Sequence, residues 1–133
     1  MVRLRNSALI SIVDDDESFR TAVRDMVESL GYTVAAFASG TEFLGSDCLR
    51  DSACLITDVR MPGMSGFELH DRAVAAGHSI PTIFLTAFPD EKGSYRASKA
   101  GAIAYLSKPC HRDDLLARIH SALDRGKTNV KGS

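Results

Sequence analysis

The chain has 133 residues, 44% hydrophobic and 25% charged, with a formal net charge of −1. That suits one globular domain with one core, and it carries no overall basic signature for binding nucleic acid. No apolar run approaches the ~20 residues that span a bilayer, and Met1 to Ser7 leads into a short apolar run broken by acids rather than a signal-peptide core, so the expected location is the cytoplasm.

Ala8-Leu9-Ile10-Ser11-Ile12-Val13 is a β-branched apolar run and predicts a first strand buried on both faces. It ends in three acids, Asp14, Asp15 and Asp16. Phe19, Ala22, Val23, Met26, Val27 and Leu30 then recur at helical spacing, and Gly31 stands just past the stripe as a stop. Asp16 is placed to cap that helix. Thr33 to Phe37 is a second strand; Ser39 and Glu42 have capping-box spacing before a short helix with Phe43 and Leu44. Asp47 to Ser52 reads as polar loop.

Ala53 to Thr57 is the third strand, delivering Asp58 to its carboxyl end. Pro62, Gly63 and Gly66 turn the chain sharply, and Ser65 with Glu68 signals a third helix that stops at Gly77. Pro81 to Thr86 is the fourth strand. Asp90 to Ala100 is a weak helix, thin in large apolar residues and interrupted by Gly93, and is expected to be marginal. Ile103 to Leu106 is the fifth strand and runs into Ser107-Lys108-Pro109. Leu115, Leu116, Ile119, Ala122 and Leu123 form the stripe of a last helix expected to end at Gly126. Residues 1–126 are thus expected to be the domain and 127–133 a polar tail.

Five strands alternating with five helices imply a parallel sheet covered on both faces, because parallel strands need crossover connections. Cys48, Cys54 and Cys110 are odd in number and lack C-x-x-C spacing, so they predict neither a disulfide frame nor a zinc site. A phosphate-binding G-x-x-x-x-G-K-[ST] loop and a G-x-G-x-x-G turn are both absent from the sequence, which argues against nucleotide binding.

In a parallel sheet all strand carboxyl ends share one edge, where open α/β sheets bind ligands. Asp14, Asp15, Asp58, Thr86 and Lys108 therefore converge there, though far apart in sequence. Asp58 alone reads equally as a turn cap. Three carboxylates together repel one another and call for a cation. Hard oxygen ligands with few protein contacts suit Mg²⁺, which keeps waters and leaves room for a phosphoryl oxygen. A carboxylate nucleophile, a divalent cation, a lysine and a hydroxyl are the parts needed to move a phosphoryl group onto an aspartate.

Val13-Asp14-Asp15-Asp16, the stretch from Asp58 to Gly66, Thr86-Ala87 and Tyr105-x-x-Lys108-Pro109 resemble, in order and spacing, the receiver domain of two-component response regulators. The wording Asp-Val-Arg-Met-Pro-Gly-Met-Ser-Gly and Phe-Leu-Thr-Ala looks most like the nitrogen-fixation regulator (FixJ-like) type. The resemblance implies a flavodoxin-like, doubly wound five-stranded sheet of order 2-1-3-4-5. It implies Asp58 as phosphoacceptor, Asp14 and Asp15 as holders of Mg²⁺ with Asp15 the direct ligand, and the Arg60 backbone carbonyl as a further ligand. Lys108 would contact the phosphoryl group, with Lys108–Pro109 cis. Thr86 and Tyr105 would relay phosphorylation to the fourth helix, fifth strand and fifth helix.

The implied partners are a sensor histidine kinase or histidine phosphotransfer protein as donor and an output protein or domain downstream. A phosphorylation-dependent homodimer is a further expectation, with no direct nucleic-acid or membrane binding by this chain. The implied role is not that of an enzyme beyond self-catalysed transfer and slow loss of its own phosphoryl group. Relatives of the FixJ-like type often continue into a helix-turn-helix DNA-binding domain, so this chain is expected to be a single-domain regulator or a fragment. Two positions depart from common usage: Cys110 stands where phenylalanine often follows Lys-Pro, and Phe88 stands two past Thr86 where many relatives are polar. A haloacid-dehalogenase-type phosphatase would need Asp-x-Asp-x-Thr, which Asp14 to Ser18 does not supply. A phosphorylation-independent interaction module on the same fold is the alternative; such modules usually lose a key residue, and none is missing here.

Overall fold

The computed structural model describes the backbone of residues 8–132 and the side chains of residues 8–125. Met1 to Ser7, read above for a leader, lies outside the described residues. Five parallel strands form one sheet in the order β2-β1-β3-β4-β5: β1 is Leu9–Val13, β2 Thr33–Phe37, β3 Cys54–Asp58, β4 Thr82–Thr86 and β5 Ala104–Ser107. Six helices connect and cover them: α1 Glu17–Ser29, α2 Gly40–Leu44, α3 Cys48–Asp51, α4 Gly66–Ala75, α5 Glu91–Lys99 and α6 Arg112–Gly132. The expected order 2-1-3-4-5 and doubly wound architecture are those observed. The fourth and fifth helices expected from sequence are α5 and α6.

Two expectations need correction. The stretch expected as polar loop holds the extra helix, α3. It is a single turn, too short to show a hydrophobic period. Ser52 closes it by donating its hydroxyl to the Cys48 carbonyl at 2.6 Å, while Cys48 and Leu49 pack on the core. The last helix also does not end at Gly126 but continues to Gly132. A glycine inside a helix costs only about 1 kcal/mol against alanine, and no proline follows to force a stop.

The helix starts form as their sequences predict. The Asp16 side chain accepts the Phe19 N–H at 3.1 Å and caps α1. Ser65 and Glu68 exchange both bonds of a capping box at α4. At α2 only half of that box forms: Ser39 accepts from the Glu42 N–H, but Glu42 reaches back to the Ala38 N–H instead.

Strand alternation sorts the core onto two faces. Ile10, Ile12, Cys54, Ile56, Ile83 and Leu85 point to one side. There they meet Val23 and Val27 of α1 and Leu115, Ile119 and Ala122 of α6. On the other side Val13 and Leu55 pack with Phe43 and Leu69, and Phe84 packs with Phe67 and Ala97. β3 and β4 are buried along their whole length, so what they carry to the sheet's carboxyl edge is held by the most fixed part of the molecule. Among the described residues no helix is long and apolar enough to cross a membrane.

Candidate functional site at the carboxyl edge of the sheet

Asp58 is the last residue of β3, paired in register with Leu85 of β4. The chain then has to turn at once into α4. The Gly66 N–H returns to the Val59 carbonyl at 2.9 Å, and a Cβ on Gly66 would collide with the Asp58 carbonyl oxygen. Only glycine allows that approach. The sharp turn read from Pro62, Gly63 and Gly66 thus holds the Asp58 backbone from behind.

Two more strand ends, those of β1 and β5, bring their side chains to the same place. Lys108 Nζ lies 2.8 Å from Asp14 Oδ2 and 3.3 Å from Asp58 Oδ2. The lysine backbone is tied in as well, its N–H donating to the Thr86 carbonyl at 2.8 Å. The Lys108–Pro109 bond is cis, as the resemblance implied. Asp14 is 2% exposed and Asp58 7%. Asp14 has both oxygens engaged, since Oδ1 accepts the Asp16 N–H at 2.9 Å. Asp15 stands exposed beside them. One carboxylate oxygen from each of Asp14, Asp15 and Asp58 lies within 4.8 Å of the others.

Burial raises the Asp58 carboxyl above the usual range, and the neighbouring Asp14 charge raises it further; Lys108 and the Val59 N–H pull it back. For Lys108, burial alone would favour the neutral amine. The hydrogen bond and charge of Asp14, then those of Asp58, outweigh burial and hold the ammonium above its ordinary pKa. One lysine does not neutralise three carboxylates. A donor set made only of carboxylate oxygens, partly open to water through Asp15, fits a hard divalent cation such as Mg²⁺.

The remaining expected residues lie around this centre in distinct roles. Thr86 ends β4 and is 1% exposed, its Oγ1 accepting the Phe88 N–H at 3.1 Å. Arg60 turns its side chain away from the carboxylates, 4.0 Å from Asp90 and over the Phe88 ring at 5.2 Å. Tyr105 is half-buried, and its hydroxyl accepts the Asp90 N–H at 3.2 Å at the start of α5. A cleft of about 200 Å³ opens beside them, lined by Val59, Arg60, Phe67, Phe88 and Tyr105 among others.

Two residues at the site escaped the sequence reading. Arg20 donates from Nη1 to the Asp14 carbonyl at 2.7 Å and braces the acidic loop. Phe19, read as the first residue of the α1 core stripe, has Lys108 Nζ 4.3 Å from its ring centroid. Their only signal was position: both lie in the first turn after the acids, where a helix start faces the strand ends.

Comparison with known proteins agrees with this geometry. The response regulator receiver domain family matches residues 10–120. The response regulator protein TmoT of Ectopseudomonas mendocina is 40% identical over 116 residues, covering 87% of this chain and 53% of TmoT. The chain thus spans about half the length of the curated relatives it matches. The solved structure of response regulator StyR is similar at a TM-score of 0.86 and 36% identity, over 95% of this chain and 64% of that one. The structure titled FixJ-N is similar at a TM-score of 0.80 and 32% identity, over 89% of this chain and 94% of that one. With its sheet order, its carboxylate cluster and these matches together, the chain belongs to the response regulator receiver domain family of two-component systems.

Proposed function

We propose that this chain accepts a phosphoryl group on Asp58 from a phosphohistidine of a sensor kinase or phosphotransfer protein. The observation that carries the reading is the buried trio in which Lys108 bridges Asp14 and Asp58 at 2.8 and 3.3 Å. An Asp58 oxygen attacks phosphorus; the phosphorus–nitrogen bond breaks, and the imidazole leaves with its electron pair and takes up a proton. The product is an acyl phosphate. Lys108 stands ready to pair with the phosphoryl oxygens. Thr86 Oγ1 uses a lone pair on the Phe88 N–H, so its own proton is free to be donated to a phosphoryl oxygen. Catalysis here is positioning and charge neutralisation rather than turnover of a separate substrate.

Asp14, Asp15, Asp58 and the Arg60 carbonyl would hold Mg²⁺. That ion, when bound, offsets the charge that gathers as phosphate and carboxylate approach each other. The switch runs through Thr86 and Tyr105 to the surface of α5, β5 and α6. α5 suits a movable element, because Ala97 is its one buried residue among the nine. An output protein or domain, or a second copy of the chain, would read that surface.

The test is intact mass after incubation with a small acyl-phosphate donor, with and without Mg²⁺. The parent should gain one Mg²⁺-dependent, base-labile phosphoryl group and Asp58→Asn none. No adduct on either chain would favour an interaction module that works without phosphorylation.

A further inference from the structure

Lys108 has three N–H donors on a flexible four-carbon stem. Asp14 and Asp58 account for two of them, at 2.8 and 3.3 Å. Over the nitrogen, 4.3 Å from the ring centroid, lies Phe19. An ammonium within about 6 Å of an aromatic face is attracted by the ring quadrupole, more strongly where water is excluded. Water is largely excluded here, since the Lys108 side chain is 12% exposed.

Phe19 is itself fixed by the acidic loop. Its N–H donates to the Asp16 cap at 3.1 Å, and the next residue, Arg20, donates to the Asp14 carbonyl at 2.7 Å. One short segment therefore sets both the carboxylate that pairs with Lys108 and the ring that covers it. Phe19 also packs on the core cluster beneath α1 and α6, so the ring is not free to follow the lysine outward.

We propose that Phe19 is a positioning residue for Lys108: its ring face closes the third side of the ammonium, keeping Nζ aimed between Asp14 and Asp58. A leucine would fill similar apolar space without a ring face, so the effect separates from core packing. The consequence for rate rests on the phosphoacceptor reading above; the hold on Lys108 does not.

The test uses the whole chain, with Phe19→Leu and Phe19→Tyr beside the parent. Two quantities are read: the rate of phosphorylation by a small acyl-phosphate donor with Mg²⁺, and solvent exchange of the Lys108 ammonium protons by ¹⁵N NMR at one fixed pH. Phe19→Leu should phosphorylate on the order of fivefold more slowly, the scale of one desolvated cation–π contact. Its ammonium exchange should rise by a similar factor, and Phe19→Tyr should restore both. Thermal melting reports whether each variant is folded, and Phe19→Met is a second ring-free variant if leucine fails to fold. Unchanged ammonium exchange in the ring-free variant overturns the proposal, whatever the rate does. A parent that takes up no phosphoryl group removes the phosphoacceptor reading instead, while the exchange comparison still decides whether Phe19 holds Lys108.

Discussion

α1 and α5 are both capped by an aspartate, and both lie against the same sheet, yet they are attached to it very differently. α1 sets Val23 and Val27 into the larger core cluster, flanked by Phe19, Met26 and Leu30. α5 buries Ala97 alone and leaves Tyr95 66% exposed. At ~25 cal/mol per Å² of buried apolar surface, a methyl group anchors far less than two valines and their neighbours. The acidic loop that feeds α1 is thus rigid, whereas the helix beyond Thr86 can shift at small cost. Under the proposed function, the rigid helix would hold the charges at fixed distances and the loosely attached one would report a change among them.

The largest effect should come from loosening the fixed side. Ile119 of α6 is fully buried in the cluster shared with α1. Ile119→Ala should lower unfolding stability by about 2–5 kcal/mol, measured by urea titration. A loss under about 1 kcal/mol would mean that this face is not the tighter one.

A smaller effect is expected at α5. A Cβ on Gly93 would collide with the Tyr105 hydroxyl, which is the movable end of a side chain. The ring should swing away rather than the helix unfold, and the Asp90 N–H should lose its acceptor. Gly93→Ala should therefore speed hydrogen exchange at the Asp90 amide by about tenfold, the scale of one hydrogen bond. Amides of α1 should be unaffected. Slowed exchange at Asp90 would contradict the seating of Tyr105.

The smallest concerns His70, on the α5 side of the sheet. Its ring packs edge-on to Phe84 with centroids 6.0 Å apart, and its buried Nδ1 has no hydrogen-bond partner. Burial lowers its pKa; Asp71, 4.0 Å away, raises it by less. Arg125 lines the cleft beside it. As pH falls, the unfolded chain binds this proton first. The stability tied to neutral His70 is thus complete above pH ~6.5 and is lost as pH drops below that toward the folded-state value. His70→Gln should flatten the decline in stability as pH falls below ~6.5. A decline just as steep in the variant would assign the slope to other groups.

The fold was legible because each strand is a short apolar run, four of the five meeting a polar residue at their carboxyl end, and the longer helices carry caps or apolar stripes. Where reading failed, the local signal was weak or misleading. α3 is one turn held by the Ser52 hydroxyl rather than by a pattern. Gly126 resembles a stop but has helix on both sides. The carboxylates and Lys108 could be placed together because sheet topology alone brings strand ends to one edge. Phe19 could not, since a ring that packs on a core and a ring that covers an ammonium look the same in a helical stripe. Nor does sequence reveal that Asp14 already has both oxygens engaged; that follows from the turn at Asp16 and the reach of Lys108.

The depth of the Asp14–Lys108–Asp58 group also bears on the medium around the protein. Mobile ions screen charges that they can surround, over roughly 10 Å at 0.1 M salt. Pairs such as Arg50–Asp47 and Arg60–Asp90, all more than half exposed, lie within their reach. The central lysine and its two carboxylates, between 3% and 12% exposed, are screened much less. Ionic strength will therefore act on the exposed pairs and leave the arrangement at the centre as it is.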